Sequence, residues 1–405
     1  MSSILKNYSG IILLLLGIGL GSLVGVYIPQ AVAWLKPIGD IFLNLLFVAV
    51  IPLLFFAITA AIARIEDQGK LGKILFVMSV VFVITISLTA LLTIIALAIY
   101  PVTAVAGGDG LTAELKNIND ESWGDRIVRF VSVGEFVNLL SRQNILAFVI
   151  FSFLMGIAIR KSGDSAKPFL NFIIAGNEVM KNMLAILMKL APLGLGAYFA
   201  YQIHTLGPEI MGFYVKPLAF YYIFGFIFFV LMFSFYAFIA RGRKGPATYW
   251  RYNITPALTA VSTCSSLATL PSNLIAAKKM GIPDTVAHVV IPLGNTLNKH
   301  GSSISSILKI YVAFAILNWN FFEPTTLITA VGITLLVSIV AGGIPNGGFI
   351  GEMLMISVYS IPNEAIPAVL IIGALVDPLA TVLNATGDTM AALLVQRFSG
   401  EKSNY

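Results

Sequence analysis

The chain has 405 residues, 58% of them hydrophobic and 11% charged, with a formal net charge of +6 and a mean hydropathy of +0.91. Soluble domains carry about 25% charged residues, so this is the composition of a multi-pass membrane protein, and the small positive excess does not point to nucleic acid. The one cysteine, Cys264, excludes an internal disulfide and a cysteine metal cluster. Apolar runs at 11–28 and 41–63 are long enough to span a bilayer. The first has no clear small-residue cleavage site and reads as a retained span. A third run, 75–99, ends at Pro101 and is followed by the one long hydrophilic stretch, 103–129, expected as an external loop. A fourth span is expected at 144–159. The run 169–201 exceeds the bilayer thickness and predicts a single tilted span. A sixth is expected at 214–240.

Alternate loops hold the positive charge: Lys6, then Arg64, Lys70 and Lys73, then Arg160, Lys161 and Lys167, then Arg241, Arg243 and Lys244. The positive-inside rule places them, and the amino terminus, in the cytoplasm.

After Lys244 the apolar segments are broken. Ser262, Cys264, Ser265, Ser266 and Pro271 interrupt one; Asn295, Asn298, Lys299, His300 and Gly301 a second; Gly342, Gly343, Pro345, Gly347 and Gly348 a third. Bare backbone cannot face lipid, so these breaks fit re-entrant hairpins and an unwound helix lining a cavity. The pattern occurs twice, over about 244–319 and 326–397, and paired interrupted segments point to a transporter site between inverted repeats. The last apolar stretch, 375–395, carries Asp377, Thr381, Asn384 and Asp388 at spacings of four, three and four. On a helix they share one face. Ionisable groups at membrane depth usually mark a substrate or ion pathway.

Four segments in this order resemble the dicarboxylate/amino acid:cation symporters, the glutamate transporter family: Ser265 to Pro271, Asn298 to Ser302, Gly343 to Gly348, and Asp377 to Asp388. The runs 51–56 and 191–194 match scaffold segments of that family, and the resemblance covers nearly the whole chain. It implies an all-α fold of eight transmembrane helices plus two re-entrant helical hairpins, arranged as inverted repeats in a homotrimer with its lipids. Residues 1–73 would be scaffold spans one and two, and 74–102 a mobile third span. Residues 103–202 would be the external loop and scaffold spans four and five. Residues 203–405 would form the rest of a mobile transport domain that moves as an elevator, with the second hairpin as gate. The resemblance and compact size imply a bacterial inner membrane protein with both termini cytoplasmic.

The resemblance also implies roles. Asp377 holds the position that binds a substrate α-amino group, and family members that take dicarboxylates without an amino group lack this acid. Asn384 and Ser266 match carboxylate-binding positions, Thr381 lies near the amino group, and Ser302 faces the side-chain end. Backbone at Cys264, with Ser265 beside it, and at Ile344, Pro345 and Gly348 would close around the ligand.

Three departures stand out. Ala380 replaces the arginine that pairs with an acidic side chain, and Cys264 and Pro378 occupy the other positions where the family places a pocket arginine. The substrate is therefore read as a neutral amino acid, since bidentate arginine is the usual holder of a second carboxylate. The family's Asn-Met-Asp-Gly-Thr motif becomes Asn298-Lys299-His300-Gly301-Ser302, so a lysine and a histidine replace a packing methionine and a sodium-ligating aspartate. The other cation ligands, Asp388, Asn298, Asn384 and backbone near Gly294, remain as a vestigial sodium site. Lys299 is read as a tethered cation for Asp388, with sodium coupling weakened or lost. Proton coupling through Lys299 and His300, or uncoupled exchange, are the alternatives. Glu352, past the second hairpin tip, is read as a carboxylate near the aqueous mouth, with pairing to a cation or gating left open. No nucleotide-binding glycine loop or Cys/His metal constellation is present, the serines lack a paired His–Asp motif, and no enzyme or cofactor is expected beyond sodium or protons as coupling ions.

Overall fold

A computed structural model describes residues 3–63, 71–102, 128, 132–141, 144–206, 212–340, 347–362 and 365–401. Among these residues all regular structure is helical: α1 (Ser3–Tyr27), α2 (Pro29–Ala63), α3 (Leu71–Ile99), a single turn α4 (Phe136–Leu139), α5 (Ile145–Lys161), α6 (Lys167–Lys189), α7 (Ala191–Leu206) and α8 (Gly212–Arg241) precede the broken half. There follow α9 (Gly245–Thr263), α10 (Ser266–Lys279), α11 (Asp284–Leu297), α12 (His300–Ile316), α13 (Pro324–Val340), α14 (Gly347–Val358) and α15 (Ile366–Ser399). The expected external loop and the tip of the second hairpin, with Ile344 and Pro345, lie outside the described residues.

Three described stretches, Gly72–Ile99, Tyr214–Thr263 and Ile366–Ser399, are long and apolar enough to cross a membrane. The single tilted span expected over 169–201 is corrected. The chain bends by 53° between α6 and α7, because Pro192 follows the break and cannot donate a backbone hydrogen bond to continue the earlier helix. Beyond the bend, α7 packs on α1 and α2. A Cβ on Gly21 would meet Gly196, and one on Gly25 would meet Ala200. Small residues let these two backbones approach closely, as helix packing in lipid requires.

The first two breaks of this half are described. Helices α9 and α10 pack against each other about a tip at Cys264 and Ser265. Cys264 is left-handed (φ 48°), and the Ser265 hydroxyl caps α10 by accepting from Ala268 N at 3.2 Å. Helices α11 and α12 are one helix interrupted at Asn298 and Lys299, both out of helical conformation. At the centre stands α15, packed by α3 and by α8 through α12, with α14 beside it. Helix α15 continues through Pro378. Pro378 leaves the Ala374 carbonyl without its helical donor, and one residue further on the Tyr222 hydroxyl donates to Leu375 O at 2.7 Å. That bond fixes the helix beside Asp377.

Candidate substrate and cation site

Interrupting a helix exposes carbonyls at the end of α11 and N–H groups at the start of α12. Asn384 of α15 satisfies the second set. Its Oδ1 accepts from Gly301 N at 2.9 Å and Ser302 N at 3.3 Å, while its Nδ2 donates to Ser302 Oγ at 3.0 Å. The Tyr221 hydroxyl donates to Gly301 O at 3.0 Å. Ala380 packs against Gly301 so closely that a Cβ on the glycine would lie 2.5 Å from the Ala380 backbone. The break is thus held by the stripe on α15.

Lys299 deals with the other set. Its buried ammonium donates to Asn295 O at 2.6 Å, at the negative end of the α11 dipole. The direct contact expected with Asp388 is not made. The two are within electrostatic range, and Lys299 instead spends its hydrogen bond on backbone. Both carboxylate oxygens of Asp388 are buried without a hydrogen-bond partner, as are the side-chain oxygens of Asn295 and Asn298. The Asn298 amide lies beside Asp388 but out of hydrogen-bond geometry. Gly294 makes room for this arrangement, since a Cβ there would stand 2.7 Å from Asp388 Oδ1. Buried polar atoms almost always find a partner. The two oxygens of this carboxylate and the amide oxygens of Asn295 and Asn298 are left unpartnered, and Gly294 gives the carboxylate its space.

His300 is fully buried and stands in ring contact with Phe228, Phe233 and Tyr236. Its Nδ1 is 3.0 Å from Thr89 Oγ1, and Thr89 donates to Thr85 O at 2.7 Å. With the hydroxyl hydrogen so used, Thr89 accepts from Nδ1–H, and Nε2 is left with no partner. The partner is a side chain of α3, not backbone.

Asp377 is exposed while Thr381, Asn384 and Asp388, further along the same face, are buried. It is the carboxylate of the stripe that a solute can reach. Tyr222 lies within electrostatic range of both Asp377 and Cys264, so the first hairpin tip and the acid belong to one neighbourhood. Ser266, half-buried, opens α10 at that tip, whereas the Ser265 hydroxyl is committed to its cap. Gly348 lies in the first turn of α14.

Glu352 requires a correction. It is not at an aqueous mouth: it is buried, and its Oε1 forms an ion pair with Lys309 Nζ at 3.0 Å, the two side chains being 6% and 5% exposed. The structure selects the pairing that the sequence left open. Lys309 was missed by reasoning from motifs, although a lysine within the apolar run 304–316 is itself a signal. It lies seven residues after Ser302, on the same helical face. Asn295 was likewise named only as part of a break. Elsewhere, an apolar cavity of about 740 Å³, lined by Val48, Phe55, Phe56, Phe148 and Phe151 among others, lies on α2, α4 and α5. It contains none of the charged residues of the stripe.

Comparison with known proteins meets this geometry. The model of the sodium:dicarboxylate symporter family matches residues 11–398. The chain belongs to that family. It is a membrane transporter and not an enzyme. Its relatives include the C4-dicarboxylate transport protein of Pseudomonas syringae pv. syringae, 26% identical over 96% of this chain and 87% of the relative. The protein of that name from Azorhizobium caulinodans is 27% identical over 96% and 88%. C4-dicarboxylate transport protein 2 of Mesorhizobium japonicum is 28% identical over the same shares.

Proposed function

We propose that this symporter carries a small carboxylate-bearing solute with an ammonium group, a neutral amino acid, across a bacterial inner membrane. The observation that carries the reading is Asp377, an accessible carboxylate on the α15 stripe, with proline and alanine where a pocket arginine would hold a second carboxylate. A doubly negative solute beside an unpaired aspartate would be repelled, and a zwitterion attracted. Ser302, Thr381, Asn384 and the first hairpin tip would surround it, with the second hairpin closing over it. The density of packing around α15, and the separate packing of α1, α2 and α7, support a mobile core carried past a scaffold as an elevator, in a homotrimer with cytoplasmic termini.

The coupling ion would sit at Asp388. Its unpartnered oxygens, with those of Asn295 and Asn298, support residual binding of one cation. The nearby Lys299 ammonium opposes it, and His300 offers no carboxylate. Sodium coupling is therefore weakened relative to a site with aspartate at 300, with proton coupling or exchange as the remaining modes.

The second reading is a C4-dicarboxylate, the solute in the printed names of the relatives. Lys309 favours it as a cation close to Asp377. Thermal shift of the purified protein separates the two, because a ligand that binds only the folded state raises the melting temperature. L-serine, L-aspartate and succinate are each added in sodium chloride and in choline chloride. A shift with L-serine in both salts, larger in sodium, is expected. A shift with succinate alone overturns the amino acid, and a shift strictly confined to sodium overturns the weakened coupling.

A further inference from the structure

The Lys309–Glu352 pair joins two elements of the site, α12 and the described arm of the second hairpin, α14. Its place is set from α15 as well. A Cβ on Gly373 would overlap Glu352 Oε1, so the carboxylate lies directly on the α15 backbone. Gly373 is one helical turn, about 6 Å, before Asp377 on the same face. Lys309 lies about 10 Å along α12 from Ser302. Gly301 and Ser302 meet Asn384, so moving up α12 corresponds to moving back along α15, and the pair lies beyond both Ser302 and Asp377. Asp377 is within electrostatic range of both its members.

We infer that Lys309 and Glu352 together select the charge of the substrate's side chain, each cancelling the other so that the distal end of the pocket accepts a neutral group. The inference deepens the amino-acid reading and rests on it for the identity of the ligand. With the pair closed on itself, the accessible carboxylate of Asp377 presents a negative charge to the solute, matched by an ammonium group.

Freeing either member should change selectivity in opposite directions. Glu352→Gln leaves the Lys309 ammonium uncompensated, and affinity for L-aspartate relative to L-serine should rise about tenfold, a modest step for a charge contact in a partly buried site. Lys309→Met leaves the carboxylate, and affinity for L-lysine relative to L-serine should rise by a similar factor. The experiment is a thermal-shift titration of wild type and both variants with L-serine, L-lysine, L-aspartate and succinate. Glu352→Asp retains both charges while withdrawing the carboxylate by one methylene, and serves where a single neutralisation does not fold; a smaller gain for L-aspartate is expected. Unchanged ligand ratios in folded variants overturn the selector and leave the pair as a structural tie, which cannot shift selectivity in opposite senses. A wild type that binds succinate alone overturns the amino-acid reading. The selector is then judged by whether Lys309→Met loses succinate and Glu352→Gln strengthens it.

Discussion

The two buried lysines of the site, Lys299 and Lys309, solve the same problem differently. Lys309 meets a carboxylate at 3.0 Å, and the two charges compensate each other. Lys299 meets a backbone carbonyl at 2.6 Å, and the nearby carboxylate of Asp388 is left without a partner. An ammonium in low dielectric needs compensation in either place. One region closes its charges within the protein, and the other leaves an acceptor open. A closed pair can set what the pocket rejects; an open carboxylate can take up an ion and release it again.

Stability measurements should separate the two most sharply. Lys309→Met strands Glu352 in the interior, and removing one partner of a buried pair costs about 3–5 kcal/mol. Lys299→Met removes a charge-assisted bond to backbone, and such bonds contribute about 1.5–3 kcal/mol. Equal losses on unfolding in detergent would mean that the two environments are energetically alike.

The glycines sharpen it further. Gly373→Ala pushes a methyl group into Glu352, and overpacking of this kind costs about 1–3 kcal/mol. Gly294→Ala presses on Asp388 at 2.7 Å, where no hydrogen bond holds the carboxylate in place. Here the expected effect is on the ion: weaker sodium enhancement of L-serine binding, with a smaller fall in melting temperature than for Gly373→Ala. A larger fall at Gly294 would show that Asp388, not Glu352, is the more rigidly held.

Much of this was readable from the chain. The hairpin tip at Cys264, the break at Asn298 and Lys299, and the stripe on α15 all follow from polar and glycine interruptions in apolar runs, which lipid does not tolerate unless they face protein or a cavity. The bend at Pro192 is hidden in the sequence, because a long apolar run looks continuous when a proline falls within it. The Lys309–Glu352 pair was half visible: each residue is conspicuous within its own segment, but the pairing joins positions 43 residues apart through tertiary packing, which no local pattern encodes. The partner of Lys299 was misjudged for a related reason. The sequence offered a carboxylate, whereas the helix break supplies a free carbonyl only four residues away.

Replacing the altered motif tests the open region directly. Lys299→Met with His300→Asp removes the competing ammonium and adds a carboxylate near Asn298, and should raise the sodium enhancement of ligand binding about tenfold over wild type, by the Coulomb advantage of a more negative site. A folded double variant with unchanged sodium response would mean that Lys299 does not oppose the ion.

The smallest effect is expected at Thr89. Its hydroxyl holds His300 by Nδ1, so Thr89→Ala leaves both ring nitrogens of a buried histidine without a partner, Nε2 having none already. Loss of a neutral hydrogen bond costs about 1 kcal/mol, and more where a buried donor is stranded. If His300 is only a packed ring among Phe228, Phe233 and Tyr236, stability falls and transport follows it in proportion. If His300 carries the coupling proton, Thr89→Ala should also move the pH dependence of uptake into proteoliposomes, because the tautomer is no longer fixed. An unshifted pH profile at reduced stability would assign His300 to packing and leave Asp388 to handle the ion.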